Sequence, residues 1–272
     1  METNLFSVNN FPIVITGGLG QLGQEFSKAL CQAGAKVVLL DINANPKRLS
    51  PELKTAYDNH QLLVIESDVT DLNRLEQAAE EIEQKFGSVY GLINNAAIDT
   101  PPNASIEENG AFEDYSVETF DKVMTVNVLG VMQASQIFGK RMVKAGRGSI
   151  INISSIYGMV SPNQDIYEHI RSEKGRFYKP IAYSTSKSAL FNLTRYLATY
   201  WASKNIRVNT LTFGGVFCGQ DERFVEAYKQ RVPMHRMANK EEYNGAIIFL
   251  LSQASSYMTG ANLVMDGGWT AW

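Results

Sequence analysis

Pro12–Gly23, PIVITGGLGQLG, is the stretch on which the architecture turns. PIVIT shows no alternation of polar and apolar residues and runs straight into a cluster of glycines. Leu22, Phe26, Ala29, Leu30 and Ala33 then recur at helical spacing until Gly34 stops them. The order is strand, tight turn, helix. A short strand that is apolar at every position belongs in a parallel sheet covered by helices on both faces, because neither face meets water.

The same pattern repeats outward from this unit. Lys36–Leu40 (KVVLL) and Leu62–Ile65 are further apolar runs, and Leu72, Leu75, Ala79, Ile82 and Phe86 form a helical stripe closed by Gly87. Leu92–Ala97 (LINNAA) predicts a fourth strand, followed by a polar loop at Pro101, Pro102 and Asn103. A long helix comes next, with Phe120, Met124, Asn127, Val128, Val131 and Ser135 on one stripe. Asn127 is a misfit there, since a buried amide is costly without partners. Ser149–Ser154, a helix over Tyr183–Lys204, Arg207–Leu211, a helix over Glu241–Leu251 and Asn262–Met265 complete the alternation. It predicts a doubly wound α/β fold, a parallel sheet of seven strands with helices on both faces, in one domain over residues 1–272. Two tracts are too long for ordinary connections: Ser161–Pro180, and Phe217–Arg236, whose Phe224, Val225, Tyr228 and Val232 fall at near-helical spacing and predict a lid.

Composition removes other classes. Of 272 residues 44% are hydrophobic and 19% charged, too apolar for a disordered chain, and no apolar run approaches the ~20 residues of a membrane span. Lys and Arg total 25 against 28 Asp and Glu, which gives nucleic acid and anionic membrane no electrostatic hold. Cys31 and Cys218 are far apart, and the leader METNLFSVNN lacks the basic and apolar regions of a secretory signal, so a reducing cytoplasm is expected. His60, His169 and His235 are scattered without ligand spacing, and no metal site is expected.

Within the glycine cluster, Gly18, Gly20 and Gly23 make GxGxxG between a strand and a helix. Glycines there let backbone N–H groups approach a pyrophosphate at a helix N-terminus. Asp41 closes the second strand 18 residues past Gly23, where a carboxylate accepts from ribose hydroxyls. Asp41 is followed by Ile42, and no base lies in Gly17–Gly23, so NAD is favoured over NADP. YxxxK occurs at Tyr183/Lys187 and Tyr200/Lys204. The second pair ends its helix, where a lysine merely complements the dipole. The first opens its helix among small residues, and an ammonium one turn away favours phenolate over phenol. Ser155, at the end of the fifth strand, could orient the same substrate oxygen.

TGGLGQLG, LINNAA, VNVLG, SIINISS, YSTSK, IRVNTL and VMDGG together resemble the short-chain dehydrogenase/reductase family, in its single-domain branch with a Rossmann-type sheet. The resemblance implies hydride transfer between a nicotinamide and a secondary alcohol or ketone. It makes Tyr183 the acid/base and has Lys187 bind the nicotinamide ribose and lower the phenol pKa. Ser155 steadies the substrate oxygen, and Asn127 holds a water in a relay to Lys187. For the cofactor it implies Gly17, Gly18, Leu19, Gly20, Gln21, Leu22 and Gly23 at the phosphates and Asp41 and Ile42 at the adenosine ribose. Asp68 and Val69 then flank the adenine, Asn94 and Ala96 border the cofactor, and the Val216 backbone meets the carboxamide. A homodimer or homotetramer is likewise implied. Gln21 stands where this branch has its second glycine, Phe213 replaces a proline, and Cys218 replaces a threonine.

Ser155 and Tyr183 are 28 residues apart, wider than is usual in the family, so Ser161–Pro180 reads as an insertion beside the site. Its Arg171, Lys174, Arg176 and Lys179, with Tyr167, His169, Phe177 and Tyr178, suit a sugar, sugar phosphate or nucleotide sugar. SSIYG and the long tract before the tyrosine are also similar to the subgroup associated with flagellin and surface-sugar modification. The alternatives are a 3-oxoacyl or other small-ketone reductase and a non-catalytic NAD-binding sensor.

Overall fold

The computed structural model describes residues 4–100, 110–174 and 177–272. Pro101, Pro102 and Asn103 of the polar loop, and Arg176 of the insertion, lie outside them. Seven strands form one parallel sheet: β1 (Pro12–Thr16), β2 (Lys36–Asp41), β3 (Leu62–Glu66), β4 (Gly91–Asn94), β5 (Gly148–Ser155), β6 (Ile206–Phe213) and β7 (Asn262–Met265). Their spatial order is β3-β2-β1-β4-β5-β6-β7. The chain winds outward from β1 to β3 and then crosses to β4, which leaves a crevice at the carboxyl ends of β1 and β4.

The helices are α1 (Gln21–Gln32), α2 (Pro51–Asp58), α3 (Leu72–Phe86), α4 (Val117–Met124), α5 (Gly130–Ala145), α6 (Ile156–Met159), α7 (Glu168–Lys174), α8 (Ile181–Trp201), α9 (Glu222–Lys229) and α10 (Asn244–Leu251). Successive strand residues point to opposite sides, and both sides are filled. Ile13, Ile15, Val37 and Leu39 pack with Phe26, Leu30, Ile247 and Leu250 of α1 and α10. Val14, Val38, Leu40 and Leu92 pack with Leu75, Phe138, Leu197 and Trp201 of α3, α5 and α8. Two-sided burial explains the continuous apolar strands.

Several boundaries differ from the expectation. β4 ends at Asn94, because Asn95 and Ala96 turn back to bond Thr16. The helix expected over Tyr183–Lys204 begins at Ile181 and relaxes to a tight turn after Trp201. The short helix α2 was not expected, although Ser50 caps it and Pro51 opens it. The helix carrying Asn127 is continuous from α4 into α5 through a π-helical turn, Thr125–Leu129. That turn shifts the buried stripe from Phe120 and Met124 to Thr119 and Val123. No helix among the described residues is long and apolar enough to cross a membrane.

Candidate active site

At the crevice the turn after β1 and the loop after β4 are stitched together. The Thr16 hydroxyl accepts from the N–H groups of Asn95 and Ala96, each at 3.0 Å, and the Asn95 amide donates to the carbonyls of Thr16 and Gly17. Gly17 has φ +61°, and a Cβ on it would lie 2.9 Å from Ala96 Cα, so both conformation and space demand glycine. A Cβ on Gly23 would lie 2.5 Å from the Gly17 carbonyl. The N–H groups of Gly18, Leu19 and Gly20 are taken by Leu40 O, Asp41 Oδ2 and Gly17 O. Gln21, Leu22 and Gly23 occupy the first turn of α1, where amides have no intrahelical acceptor and the dipole favours an anion. Backbone amides open to an anion are therefore at the helix end more than in the turn.

Other placements depart from the sequence reading. The Leu19 side chain is buried in the core, whereas Gln21 lines the cavity beside the turn, as expected, and also reaches the carbonyl of Phe217. A cavity of about 560 Å³ is lined by Gly17, Gly20, Asp41, Ile42, Asp68 and Val69, with Ala96 on its wall. Arg48, brought back by a short turn, lies 4.0 Å from Asp41 on the same wall. The expectation that no base stands beside the strand end is thus corrected: the base is local in space and seven residues away in sequence. Asn94 faces away from the cavity, its amide bonded to Ser135 and Asn152, and Asn95 takes the lining position. Asn94 closes β4, and Asn95, past the strand end, turns back to Thr16 and the crevice.

The adjoining cavity, about 710 Å³, brings Ser155, Tyr183 and Lys187 together with Val216. Ser155 ends β5, and its hydroxyl accepts from Tyr157 N to start α6. Tyr183 lies in the first turn of α8, and Lys187 one turn later sends Nζ to the Ile153 carbonyl at 2.9 Å, 5.8 Å from the Tyr183 ring centre. Burial pushes the Tyr183 phenol up to about 12, Asp99 adds to the rise, and Ser155 opposes it. Burial pulls Lys187 down to about 8. The expected acidification of the phenol by its neighbouring ammonium is therefore not supplied by the chain itself. Desolvation is the largest cause for both groups, and it penalises the charged form of each.

Asn127 is buried, and its side chain is fully engaged: it donates to Ile98 O and Ser186 Oγ and accepts from Ile98 N. That amide fastens the β4 loop to α8. The Val216 carbonyl accepts from Gln220. Phe213, in place of the family's proline, packs 4.1 Å from the Tyr243 ring, and Cys218 is exposed.

One cation of the insertion, read in the sequence only as part of a polar wall, stands against Tyr183 itself. Lys179 holds its ammonium 4.7 Å from the Tyr183 ring centre and 5.8 Å from that of Tyr157, paired with Asp99 at 2.7 Å. The repeat Lys179–Tyr183–Lys187, each four apart, was the available signal. The tracts Ser161–Pro180 and Phe217–Arg236 meet beside the cavity: Tyr167 lies 5.4 Å from Phe224, Arg223 of α9 bonds Glu173 of α7, and Arg231 pairs with Asp165. Tyr157 and Tyr167 share a hydroxyl contact of 3.2 Å beneath them.

Comparison with known proteins agrees with this geometry. The family profile described as enoyl-(acyl carrier protein) reductase matches residues 20–270. The chain is 31% identical over 265 residues to post-translational flagellin modification protein A of Campylobacter coli, covering 96% of this chain and 99% of that protein. It is 34% identical over 278 residues to the ribulose-forming D-arabinitol 2-dehydrogenase of Scheffersomyces stipitis, covering 95% and 93%. A short-chain dehydrogenase from Leptospira borgpetersenii with bound NAD+ superposes with a TM-score of 0.84 at 30% identity, covering 99% and 96%. The chain belongs to the short-chain dehydrogenase/reductase family and is an oxidoreductase of CH–OH groups that uses a nicotinamide cofactor.

Proposed function

We propose that this enzyme interconverts the secondary alcohol of an uncharged polyol and the corresponding ketose, with NAD preferred over NADP. The carrying observation is the wall around Tyr183. Each described cation of the insertion already has a carboxylate: Arg171 has Glu168 and Lys179 has Asp99, while Arg223 across the gap has Glu173 and Asp221. Paired charges offer donors and acceptors for hydroxyl groups, and no net positive charge for a phosphate. The likeness to a D-arabinitol dehydrogenase supports the same class.

Bound nicotinamide supplies the hydride donor or acceptor. The chain's own residues do the rest. Tyr183 gives a proton to the carbonyl oxygen or takes one from the alcohol, Ser155 holds that oxygen, and Lys187 anchors the ribose. Asn127 keeps the floor of this arrangement in place, and the backbone around it is the candidate seat for a water relay. Asp41, with Leu19 N on one oxygen and Asn43 N on the other, is fixed to accept from the adenosine ribose, which supports NAD. Arg48 beside it supports residual use of NADP.

One domain spanning 1–272 carries the site beneath the insertion and a movable lid. Two unpaired cysteines suit a cytoplasmic setting. A homodimer or homotetramer is supported by exposed apolar residues on the outer faces of α5 and α8, Met132, Tyr196 and Tyr200.

The test follows nicotinamide absorbance across polyols, ketoses, sugar phosphates and acyl ketones. Polyols are expected to exceed acyl ketones in kcat/KM at least tenfold, and NAD to exceed NADP. A preference for acyl ketones would favour the acyl-reductase reading that the family profile's description suggests. Tyr183→Phe should bind NAD and lose about 10²–10⁴-fold in turnover. Wild-type protein that binds NAD but turns over nothing would instead be a sensor.

A further inference from the structure

Lys179 is an unusual component of a cavity wall. Its side chain is 15% exposed, yet its ammonium has three donors, and among the described residues Asp99 is the one hydrogen-bond acceptor it meets. The faces of Tyr183 and Tyr157 flank it and offer attraction without accepting its N–H groups in line. Its position is built, since Lys179 N donates to Gln164 Oε1 at 2.8 Å and Gln164 Nε2 returns toward Lys179 O. The insertion thus carries a mostly buried cation over the face of the phenol beside which the substrate oxygen is expected to sit.

We propose that Lys179, held by Asp99 and Gln164, is a specificity residue that donates a hydrogen bond to a second substrate oxygen, on a carbon close to the one that reacts. The class it selects is a polyol or ketose with vicinal oxygens, over a monohydric alcohol or simple ketone. The idea rests on the polyol reading above and adds the residue that enforces it. A vicinal oxygen accepts from a spare donor of an ammonium whose position is already fixed at the cavity wall, whereas a substrate lacking that oxygen displaces water from the donor and gives it no acceptor in return. Sites built to bond a hydroxyl reject the analogue without it for this reason.

The experiment measures kcat/KM for a pentitol and for a monohydric secondary alcohol of the same chain length, in wild type, Lys179→Met and Lys179→Gln, after thermal melts confirm folding. The pentitol-to-alcohol ratio should fall at least tenfold in Lys179→Met, while Lys179→Gln, which keeps an N–H donor, should lie between Met and wild type. A ratio within twofold of wild type in Lys179→Met overturns the assignment, whether both activities fall or neither does. Wild type that ignores the pentitol fails the polyol reading itself, and that result is read on the unmutated protein alone.

Discussion

Tyr183 and Lys187 show how far residue identity goes toward chemistry. Their spacing was legible, and so was the pairing with Ser155, but the direction of the phenol shift was not. Lys187 is buried and Tyr183 partly buried in the packed wall, and desolvation there pushes Tyr183 up to about 12 and Lys187 down to about 8. With the phenol proton retained to high pH, ketone reduction should hold through neutrality and alcohol oxidation should rise toward alkaline pH. Rates in both directions from about pH 6 to 10 would check this. Stability follows the other group. Between about 8 and the ordinary lysine value near 10.4, the unfolded chain binds more protons at Lys187 than the folded one, so this residue makes the fold more stable as pH rises. Below that window the buried ammonium carries its full penalty. Lys187→Met should therefore abolish turnover yet raise the melting temperature, more at about pH 7 than at about pH 10. Equal melting shifts at both values would contradict the assignment.

At the scale of elements, Ser161–Pro180 and Phe217–Arg236 were read separately, each from its length. Their union was not legible, because Arg223 and Glu173 are fifty residues apart and no local pattern couples them. Tyr228 and Val232 of the lid pack with Ile166 and Tyr167 of the insertion and with Trp269 near the chain's end, forming a third apolar cluster above the sheet. The polar latch around Arg223 is exposed, and exposed pairs contribute little to global stability. Its role should be local. Arg223→Ala should leave the thermal midpoint nearly unchanged and speed protease cleavage within residues 217–236, and added NAD should slow that cleavage in wild type. Limited proteolysis with mass mapping reads the effect, and cleavage indifferent to both changes would remove the lid assignment.

For the molecule as a whole, Tyr196 and Tyr200 stack at 6.0 Å on the exposed side of α8, with Met132 on α5 also outward. If these faces pair, wild type should sediment as a dimer or tetramer, and Tyr200→Glu should shift it toward monomer. A monomeric wild type at micromolar concentration would refute the pairing. The order of strands and helices, the glycine turn, Asp41 and the Tyr183/Lys187 pair were determined by the sequence alone, because each depends on hydrophobic period, on turn chemistry or on neighbours one helical turn apart. Tertiary structure decided what depends on distance through space. It chose Asn95 over Asn94, carried Arg48 to Asp41, set Lys179 against the phenol, and desolvated Lys187 and, in part, Tyr183. Contacts of that kind arise only when segments remote in the chain are packed together, and packing is the one property that a residue's own neighbourhood does not encode.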